Sequence, residues 1–237
     1  MDLGIEGKVA LVTAASAGLG FASAKALSEE GCRVAINSHD GSRLDAAVTA
    51  LDGDPLALTA DVTDPDAPAA LVASTVERFG GLDILIANAP GPPRARALEA
   101  TDDALLDAVE ANLLTSVRLV RTAVPHMRAA GWGRIVLLTS VAIKEPIPDL
   151  AASSAARTGL WAWAKSAAQD LIDDKITLNV LAPGLHDTDR VRALGHTGPT
   201  GDPEDFGRIA AFLCSVHTGF LSGVALQVDG AGTLGLL

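Results

Sequence analysis

The sequence contains no tyrosine, and aromatic residues of all kinds make up only 3% of it. No phenol group is therefore available in this chain as a catalytic acid. The apolar residues, 49% of the chain, are mostly alanine, valine and leucine. Such small and branched side chains suit close packing of helices on a sheet, and their abundance indicates a well-buried globular core.

Cysteine is scarce as well, since only Cys32 and Cys214 occur and neither belongs to a Cys-x-x-Cys or Cys/His cluster. This excludes a disulfide framework and a cysteine-based metal centre, and two isolated thiols are typical of a reducing cytoplasm. Near the amino end the apolar run spans only Val9–Val12, which is too short for a signal or membrane segment. We therefore expect a cytoplasmic protein without a bound metal.

Basic residues are outnumbered, with 18 lysines and arginines against 29 aspartates and glutamates, and the net charge is −11. A chain with this balance repels a phosphate backbone, and it lacks the basic cluster that holds proteins on anionic membranes. We expect neither nucleic acid nor membrane as a partner. A small-molecule substrate remains as the expected partner.

Short apolar segments alternate with longer helical patterns along the whole chain. Strands that are apolar on both faces and joined by helices predict a parallel sheet covered on each side. No repeat, low-complexity tract or linker divides the sequence. We predict a single α/β Rossmann-type three-layer domain over residues 1–237, with about seven strands and helices on both faces. The predicted strands are Val9–Val12, Val34–Ile36, Leu56–Leu58, Ile84–Ile86, Ile135–Leu138, Ile176–Val180 and Ala225–Val228.

Helical patterns fill the intervals between these strands. One ends near Gly31 and a second near Leu51, and a long one runs from Thr101 to about Ala130. Another runs from about Ala151 to Ile172, and the last begins near Pro203.

A glycine-rich turn, residues 13–20, stands between the first predicted strand and the first helix. Gly18 and Gly20 open that helix, whose free backbone N–H groups and dipole would hold a pyrophosphate. The strand before the turn and the helix after it make the pattern more specific than a bare pair of glycines. The turn predicts dinucleotide binding; the alternative is that the glycines only permit tight strand-to-helix packing.

This turn resembles the TGxxxGxG motif of the short-chain dehydrogenase/reductase family, with Ala14 at the first glycine position. Further matches follow in the family's order: Asp61-Val62, Asn88-Ala-Pro-Gly91, Asn112, Ser140, Pro183-Gly184 and Val228-Asp-Gly230. The resemblance covers essentially the whole chain and is close to the β-ketoacyl-carrier-protein-reductase-like members, including a subgroup with atypical motifs. It implies a nicotinamide cofactor bound by Thr13, Ser16, Gly18, Leu19, Gly20, His39, Asp61, Val62, Asn88, Ala89, Pro183, Gly184 and Thr188.

Two positions bear on how the cofactor binds. A methyl group at Ala14 fits only if the backbone keeps a negative φ and the pyrophosphate does not approach closely, so we expect binding to be weakened or lost. The second strand ends Asn37-Ser-His-Asp40, where an acidic residue favours NAD and an arginine favours NADP. His39, with Arg43 nearby, favours a phosphate, whereas Asp40 argues against it. On balance the sequence favours NADP(H) over NAD(H), with no cofactor as the alternative.

The resemblance implies that a tyrosine protonates the substrate oxygen, assisted by a lysine, a serine and an asparagine. Ser140 takes the serine position and Asn112 the asparagine position, while Ser153 and Arg157 occupy the tyrosine and lysine positions. Ser153 and Arg157 lie four residues apart and share one helix face. A serine hydroxyl has no accessible pKa, whereas arginine is a fixed anchor for an oxyanion or a carboxylate.

His186 follows Pro183-Gly184, in a segment that passes the nicotinamide in the family, and it is a candidate general acid. The alternative is a histidine on a surface loop. The segment from Pro183 to Pro203 is short for the family's lid, which implies a bulky substrate or a lid from a partner subunit. The family assembles through long helices, so we expect a homodimer or homotetramer, and the apolar face around Leu160, Trp161 and Trp163 is compatible with it.

Three functions follow from these observations. The first, which we favour because much of the cofactor half is retained, is an atypical NADP(H)-dependent reductase of a carbonyl or enol substrate. Ser140, Arg157 and Asn112 would orient the oxygen, and water or His186 would supply the proton. The second is a non-redox dehydratase, lyase or cyclase in which Ser140 and Arg157 stabilise an enolate-like charge. The third is a non-catalytic binding or oligomer-partner protein.

Overall fold

The computed structural model describes residues 1–235, and a sheet of seven strands forms its centre. The strands follow the order β3-β2-β1-β4-β5-β6-β7, and every neighbouring pair is parallel. Each of the seven predicted segments is a strand, so the predicted Rossmann-like parallel sheet is confirmed. The strands are β1 Val9–Val12, β2 Arg33–Ser38, β3 Leu56–Thr59, β4 Ile84–Ala87, β5 Gly133–Leu138, β6 Ile176–Pro183 and β7 Ala225–Val228.

Helices connect the strands. One of them, α3, fills the interval between β3 and β4, where the sequence analysis named no helix. It has a proline in its first turn and ends at Gly80, whose φ is +86°. None of the helices in residues 1–235 is long and apolar enough to cross a membrane. The helices are α1 Gly18–Glu29, α2 Gly41–Val48, α3 Ala67–Phe79, α4 Asp102–Val109, α5 Thr115–Ala130, α6 Ala151–Leu171, α7 Asp189–Ala193 and α8 Pro203–Leu213.

The sheet is buried on both faces because its strands alternate between two cores. In β1, Leu11 packs with residues of α3, α5 and α6, whereas its neighbour Val12 packs with residues of α1, α2 and α8. Leu160 of α6 is fully buried in the first core, while Trp161 and Trp163 are half-buried against it. Most of the apolar face around Leu160, which was expected to support assembly, is therefore packed within the core of the chain.

The long helix predicted from Thr101 to about Ala130 is interrupted. Between α4 and α5 the backbone forms a π-helical turn over Glu110–Leu114, with Asn112 at its centre. One extra residue in this turn shifts the helix surface, and such π-turns are frequent at functional sites.

Candidate active site

The candidate site lies at the carboxyl ends of the strands, at the point in the sheet where the strand order reverses. The chain proceeds from β1 to β2 and β3 on one side and then crosses to β4 on the other side of β1. Loops after these strands diverge at such a point and leave a crevice for a ligand. The glycine-rich turn after β1 and the loops after β2, β4, β5 and β6 meet at this edge.

Hydrogen bonds to the neighbouring strands hold the glycine-rich turn in place. The hydroxyl of Thr13 donates to the Asn88 carbonyl at 2.7 Å and accepts from the Asn88 N–H at 2.9 Å. The Asn88 amide donates to the Ala14 carbonyl at 3.0 Å. On the other side, the Asn37 carbonyl accepts from the Ala15 N–H at 2.8 Å. Hydrogen bonds among residues at the ends of β1, β2 and β4 therefore fix the turn.

The end of α1 that faces this crevice offers free donors. Its N-cap residue, Ala17, makes no side-chain hydrogen bond, and no acidic residue lies in its first turn. By contrast, side chains cap α2, α4 and α8. A Cβ on Gly20 would lie 2.6 Å from the Ala14 carbonyl oxygen, so only glycine fits there. Uncapped N–H groups beside a glycine turn are what a pyrophosphate requires.

The condition set for a methyl group at Ala14, a negative φ, is not met. Its φ is +47°, in the left-handed region that glycine adopts easily and alanine does not. The Ala14 N–H donates to the Asn37 side-chain oxygen at 3.3 Å, and the Ala14 carbonyl is held by Asn88, so the surrounding contacts impose this conformation. Alanine thus keeps the glycine-like path of the turn at the cost of backbone strain.

The loop after β2 lies on the adenosine side of the crevice. The hydroxyl of Ser16 donates to the Ser38 hydroxyl at 2.9 Å, which ties the turn to the end of β2. Asp40 caps α2: its carboxylate accepts hydrogen bonds from the Ser42 hydroxyl and from the Ser42 and Arg43 N–H groups. These hydrogen bonds, first among them the one from the Ser42 hydroxyl, lower the pKa of the Asp40 carboxyl. His39 is exposed. One oxygen of the carboxylate that argued for NAD, Oδ1, is therefore engaged within the chain.

Three further residues of the predicted cofactor set lie around this region. The Asp61 carboxylate accepts from the Thr63 hydroxyl at 2.7 Å and from its N–H at 2.9 Å, which lowers the pKa of Asp61. The charge of His39 contributes to the same shift, so His39 and Asp61 are neighbours. Val62 and Ala89 are buried in the core.

Ser140, Ser153 and Arg157 come together beyond the end of β5. The Ser140 hydroxyl accepts from the Ala142 N–H at 3.2 Å. Ser153 and Arg157 are both buried on α6, with 6% and 7% of their surface exposed. Arg157 Nε donates to the Ser153 hydroxyl at 3.2 Å, and Nη1 donates to the Leu138 carbonyl at 3.1 Å. The guanidinium is thus held rigidly at the carboxyl end of β5.

Arg190, on the short helix α7 of the lid, is a second cation at this end of the crevice. A Cβ on Gly91 would lie 2.8 Å from Nη1 and Nη2 of Arg190, so the guanidinium covers Gly91. Burial, followed by the charge of Arg190, lowers the pKa of Arg157 to about 10. Arg157 therefore keeps its charge at neutral pH.

Asn112 reaches the same loop from the π-helical turn. It is buried, and its side-chain amide donates to the Pro90 carbonyl at 2.8 Å, next to the glycine that Arg190 covers. Its side-chain oxygen is buried and accepts no hydrogen bond within residues 1–235. The π-turn thus places an amide against the loop after β4.

His186 and the lid segment are arranged differently from either expectation. The His186 ring is buried rather than on a surface loop, and it meets the Phe206 ring edge-on at 5.1 Å between centroids. Its Nδ1 lies 3.3 Å from the Gly184 carbonyl. These contacts make His186 part of the packing between the lid and α8.

The rest of the lid, the segment from Pro183 to Pro203, covers the glycine-rich turn. A Cβ on Gly18 would lie 3.6 Å from the Thr188 methyl group. At the end of β6, the Gly184 N–H donates to the Val228 carbonyl at 2.9 Å, with Pro183 preceding it. Leu19 is half-buried and packs on the core beneath α1. Thr188, Gly184 and the glycine-rich turn therefore enclose one part of the crevice.

Sequence reasoning missed two residues of this site. Asn37 is 1% exposed, and its signal was a polar side chain inside a strand that is otherwise apolar. Arg190 carries no such signal, because nothing in the order of residues after Pro183 indicates that its side chain reaches back to the loop after β4.

The parallel sheet and the glycine-rich turn after β1 define a Rossmann-like fold. Residues 8–198 match the short chain dehydrogenase family, and the chain belongs to that family. It is 32% identical to dehydrogenase/reductase SDR family member 4 of Bos taurus, over 95% of this chain and 87% of that protein. It is 31% identical to the 3-oxoacyl-acyl-carrier-protein reductase of Vibrio cholerae, over 96% of this chain and 98% of that protein.

Solved structures agree with this assignment. L-sorbose reductase from Gluconobacter frateurii, in complex with NADPH and L-sorbose, superposes with a TM-score of 0.91 at 30% identity, covering 97% of this chain and 98% of that one. YwfH, an NADPH-dependent reductase of bacilysin biosynthesis, superposes with a TM-score of 0.93 at 22% identity, covering 98% of this chain, and supports the fold alone. The chain is thus a short-chain dehydrogenase/reductase with reductases among its relatives.

Proposed function

We propose that this protein is an NADP(H)-dependent reductase of a carbonyl substrate that works without a tyrosine. The observation that carries the proposal is the combination of an uncapped, glycine-lined helix N-terminus with a rigid, buried cation at the end of β5. The first suits a pyrophosphate and the second suits the oxygen of a carbonyl group that gains negative charge. Reductases among the relatives, one of them solved with NADPH, support it.

The residues of the crevice fit a nicotinamide dinucleotide. Gly18 and Gly20 would let the pyrophosphate approach the first turn of α1, and Thr188 would cover it. Asp61, Val62 and Ala89 would border the adenine, and Asn88 would hold the turn. When bound, the cofactor supplies a hydride; orientation and charge stabilisation come from the protein.

We favour NADP(H) because the acidic residue after β2 is already engaged. Asp40 accepts three hydrogen bonds as the cap of α2, from the Ser42 N–H, the Ser42 hydroxyl and the Arg43 N–H. His39 is exposed, and Arg43 is held only by a 3.7 Å contact with Asp189 in which both side chains are exposed. Such a pair is weak and leaves Arg43 available to a phosphate.

In the reaction, Ser140 and Ser153 would donate hydrogen bonds to the substrate oxygen while Arg157 stabilises its developing charge. Ser153 accepts from Arg157 Nε, so its own O–H remains free to donate. Arg157 is a poor acid because it stays charged. We propose water as the proton source, since His186 is packed against Phe206.

A titration of NADPH, and separately of NADH, into the purified protein by calorimetry tests cofactor binding. We expect saturable binding of NADPH with a dissociation constant below about 100 μM and weaker binding of NADH. Gly20→Val is the control, because its side chain would meet Ala14 and Asn88 and should abolish binding. If neither cofactor binds at about millimolar concentration, the reductase is excluded.

One observation favours a second, non-redox function. Arg157 provides a fixed positive charge with no titratable acid in contact with it, which suits stabilisation of an enolate in a dehydratase or lyase. Such an enzyme would convert a hydroxy or halo carbonyl compound without consuming NADPH. Product formation at constant absorbance of NADPH would distinguish it.

A further inference from the structure

A buried asparagine stands at the carboxyl end of β2, in a strand that is otherwise apolar where it is buried most deeply. Asn37 is 1% exposed and follows Val34, Ala35 and Ile36. An amide in such a place is costly unless its polar atoms are hydrogen-bonded. The partners of those atoms therefore indicate what the residue does there.

The two ends of the Asn37 amide bind different segments of the crevice. Oδ1 accepts from the Ala14 N–H at 3.3 Å, in the glycine-rich turn. Nδ2 donates to the Leu58 carbonyl at 3.0 Å and to the Ala60 carbonyl at 2.9 Å, at the end of β3. Both donor hydrogens of the amide and one of its acceptor positions are thus used. The amide is a rigid connection between the turn and β3.

Both segments lead directly into parts of the predicted cofactor site. Ala14 lies in the turn that opens α1, and Ala60 directly precedes Asp61-Val62, which border the adenine in the proposed function. The backbone of Asn37 adds a third connection, because its carbonyl accepts from the Ala15 N–H at 2.8 Å. Asn37 therefore joins the segment proposed for the pyrophosphate to the segment proposed for the adenine.

The contact with Ala14 matters more than the same contact with a glycine would. Ala14 has a φ of +47°, in the left-handed region that is unfavourable for alanine. Its N–H is held by Asn37, and its carbonyl accepts from the Asn88 amide at 3.0 Å. A strained residue persists only where its surroundings over-determine its conformation. The two asparagines hold the two sides of this one residue.

We propose that Asn37 is a positioning residue for the cofactor: its amide compensates for Ala14 and fixes the glycine-rich turn relative to the segment after β3. The inference rests on the proposed function, because it adds a residue to the same cofactor site. Asn37 acts through the backbone of Ala14 and Ala60, since both of its donor hydrogens are used within the chain. The alternative is that Asn37 only stabilises the sheet.

The chain offers a matched control in Asn179 on β6. Asn179 is also 1% exposed, and its amide joins backbone groups in the same way. Its Nδ2 donates to the Leu221 carbonyl at 2.7 Å, and its Oδ1 accepts from the Val224 N–H at 3.3 Å. These partners precede β7, at the far edge of the sheet from β2 and β3. Asn179→Leu therefore removes a comparable buried amide away from the proposed cofactor site.

The test is a double-mutant cycle of Asn37→Leu and Ala14→Gly, followed by urea unfolding of the cofactor-free protein and by calorimetric titration of NADPH. Asn37→Leu should lower the urea midpoint by about 1 M and weaken NADPH binding by at least about tenfold. Both losses should shrink when residue 14 is glycine, the second to about threefold or less, because glycine adopts a φ of +47° without support. Asn179→Leu should lower the midpoint similarly and change NADPH binding by less than about twofold.

Additive losses in the double variant would overturn the proposal, and so would an equal loss of NADPH affinity in Asn37→Leu and Asn179→Leu. Asn37→Ser, a milder change, provides the same comparison if Asn37→Leu does not fold. Unfolding of the cofactor-free protein separates this proposal from the reductase itself. Coupling between positions 14 and 37 in a protein that binds no NADPH would refute the reductase and still support the hold of Asn37 on the turn. Absence of coupling would overturn the proposal whatever the outcome of the NADPH titration.

Discussion

The two ends of the crevice are built by different means. At the glycine-rich turn, the proposed phosphate end, side chains serve to hold the backbone: the Thr13 hydroxyl, the Asn88 amide and the Asn37 side chain fix the path of the turn in front of the uncapped start of α1. At the end beyond β5, the proposed reaction end, the side chains are themselves the proposed chemical groups: the Ser140 hydroxyl accepts from the Ala142 N–H, and the Arg157 guanidinium donates to Ser153 and to the Leu138 carbonyl.

The difference explains how substitutions are tolerated at each end. Ala14 keeps the glycine-like path of the turn and adds only backbone strain, because Asn37 and Asn88 hold its backbone in the left-handed region. A change at the reaction end alters which atoms can donate a proton or hold a charge. Cofactor binding should therefore be robust, while substrate choice should depend on single side chains.

The largest effect is expected at Arg157. Arg157→Met removes the charge at similar length, and kcat/KM for reduction should fall by about 100-fold or more because the developing oxyanion loses its cation. Steady-state kinetics measure the loss. Arg134→Met is the control, since Arg134 is equally buried but bonds only to backbone carbonyls; it should lower the unfolding temperature without a comparable loss of rate. Equal losses in both variants would reduce Arg157 to a structural role.

A smaller effect is expected on the adenosine side. Arg43→Ala should weaken NADPH binding by about tenfold and leave NADH binding nearly unchanged, because only NADPH has a 2′-phosphate. Asp189→Ala releases Arg43 from its 3.7 Å ion pair and should strengthen NADPH binding slightly. Calorimetry with both cofactors measures these changes. An equal effect of Arg43→Ala on NADH and NADPH would contradict the preference.

Replacing Ala14 tests the strain at the phosphate end. Ala14→Gly should stabilise the protein by about 1 kcal/mol, since glycine adopts φ +47° without strain, and should tighten NADPH binding. Lys175→Gly is the matched control: its φ is +60° and it follows α6, away from the turn, so it should stabilise without affecting the cofactor. Urea unfolding measures the free energy. A destabilised Ala14→Gly protein would show that the turn is not strained.

The pH dependence gives the smallest effect. Arg157 has a pKa of about 10 and is charged below that value, so kcat/KM should be constant between about pH 6 and 9 and fall to about half as the pH reaches 10. The sign follows from loss of the proton, and therefore of the positive charge, as pH rises. Initial rates across this range test it. A steep decline between about pH 7 and 8 would identify another titrating group.

The sequence predicted the phosphate end better than the reaction end. Strand positions and the turn followed from apolar runs and glycines, because those signals are local. The positive φ of Ala14 could not be derived from the sequence, since it depends on Asn37 and Asn88, which are distant in sequence. The π-turn at Asn112 and the reach of Arg190 to Gly91 likewise arise from tertiary contacts. His186 was placed among catalytic candidates by its position after Pro183, whereas packing against Phe206 decides its environment.

The most direct test of the account is transfer of deuterium from NADPH that is deuterated at the reactive carbon of the nicotinamide. The protein is incubated with this cofactor and with a panel of carbonyl compounds, and the products are analysed by mass spectrometry. The account predicts an alcohol that carries one deuterium on the former carbonyl carbon, formed by the wild type and strongly reduced in Arg157→Met. Products without deuterium, or none from any substrate by a protein that binds NADPH, would contradict the claim that this chain is a reductase.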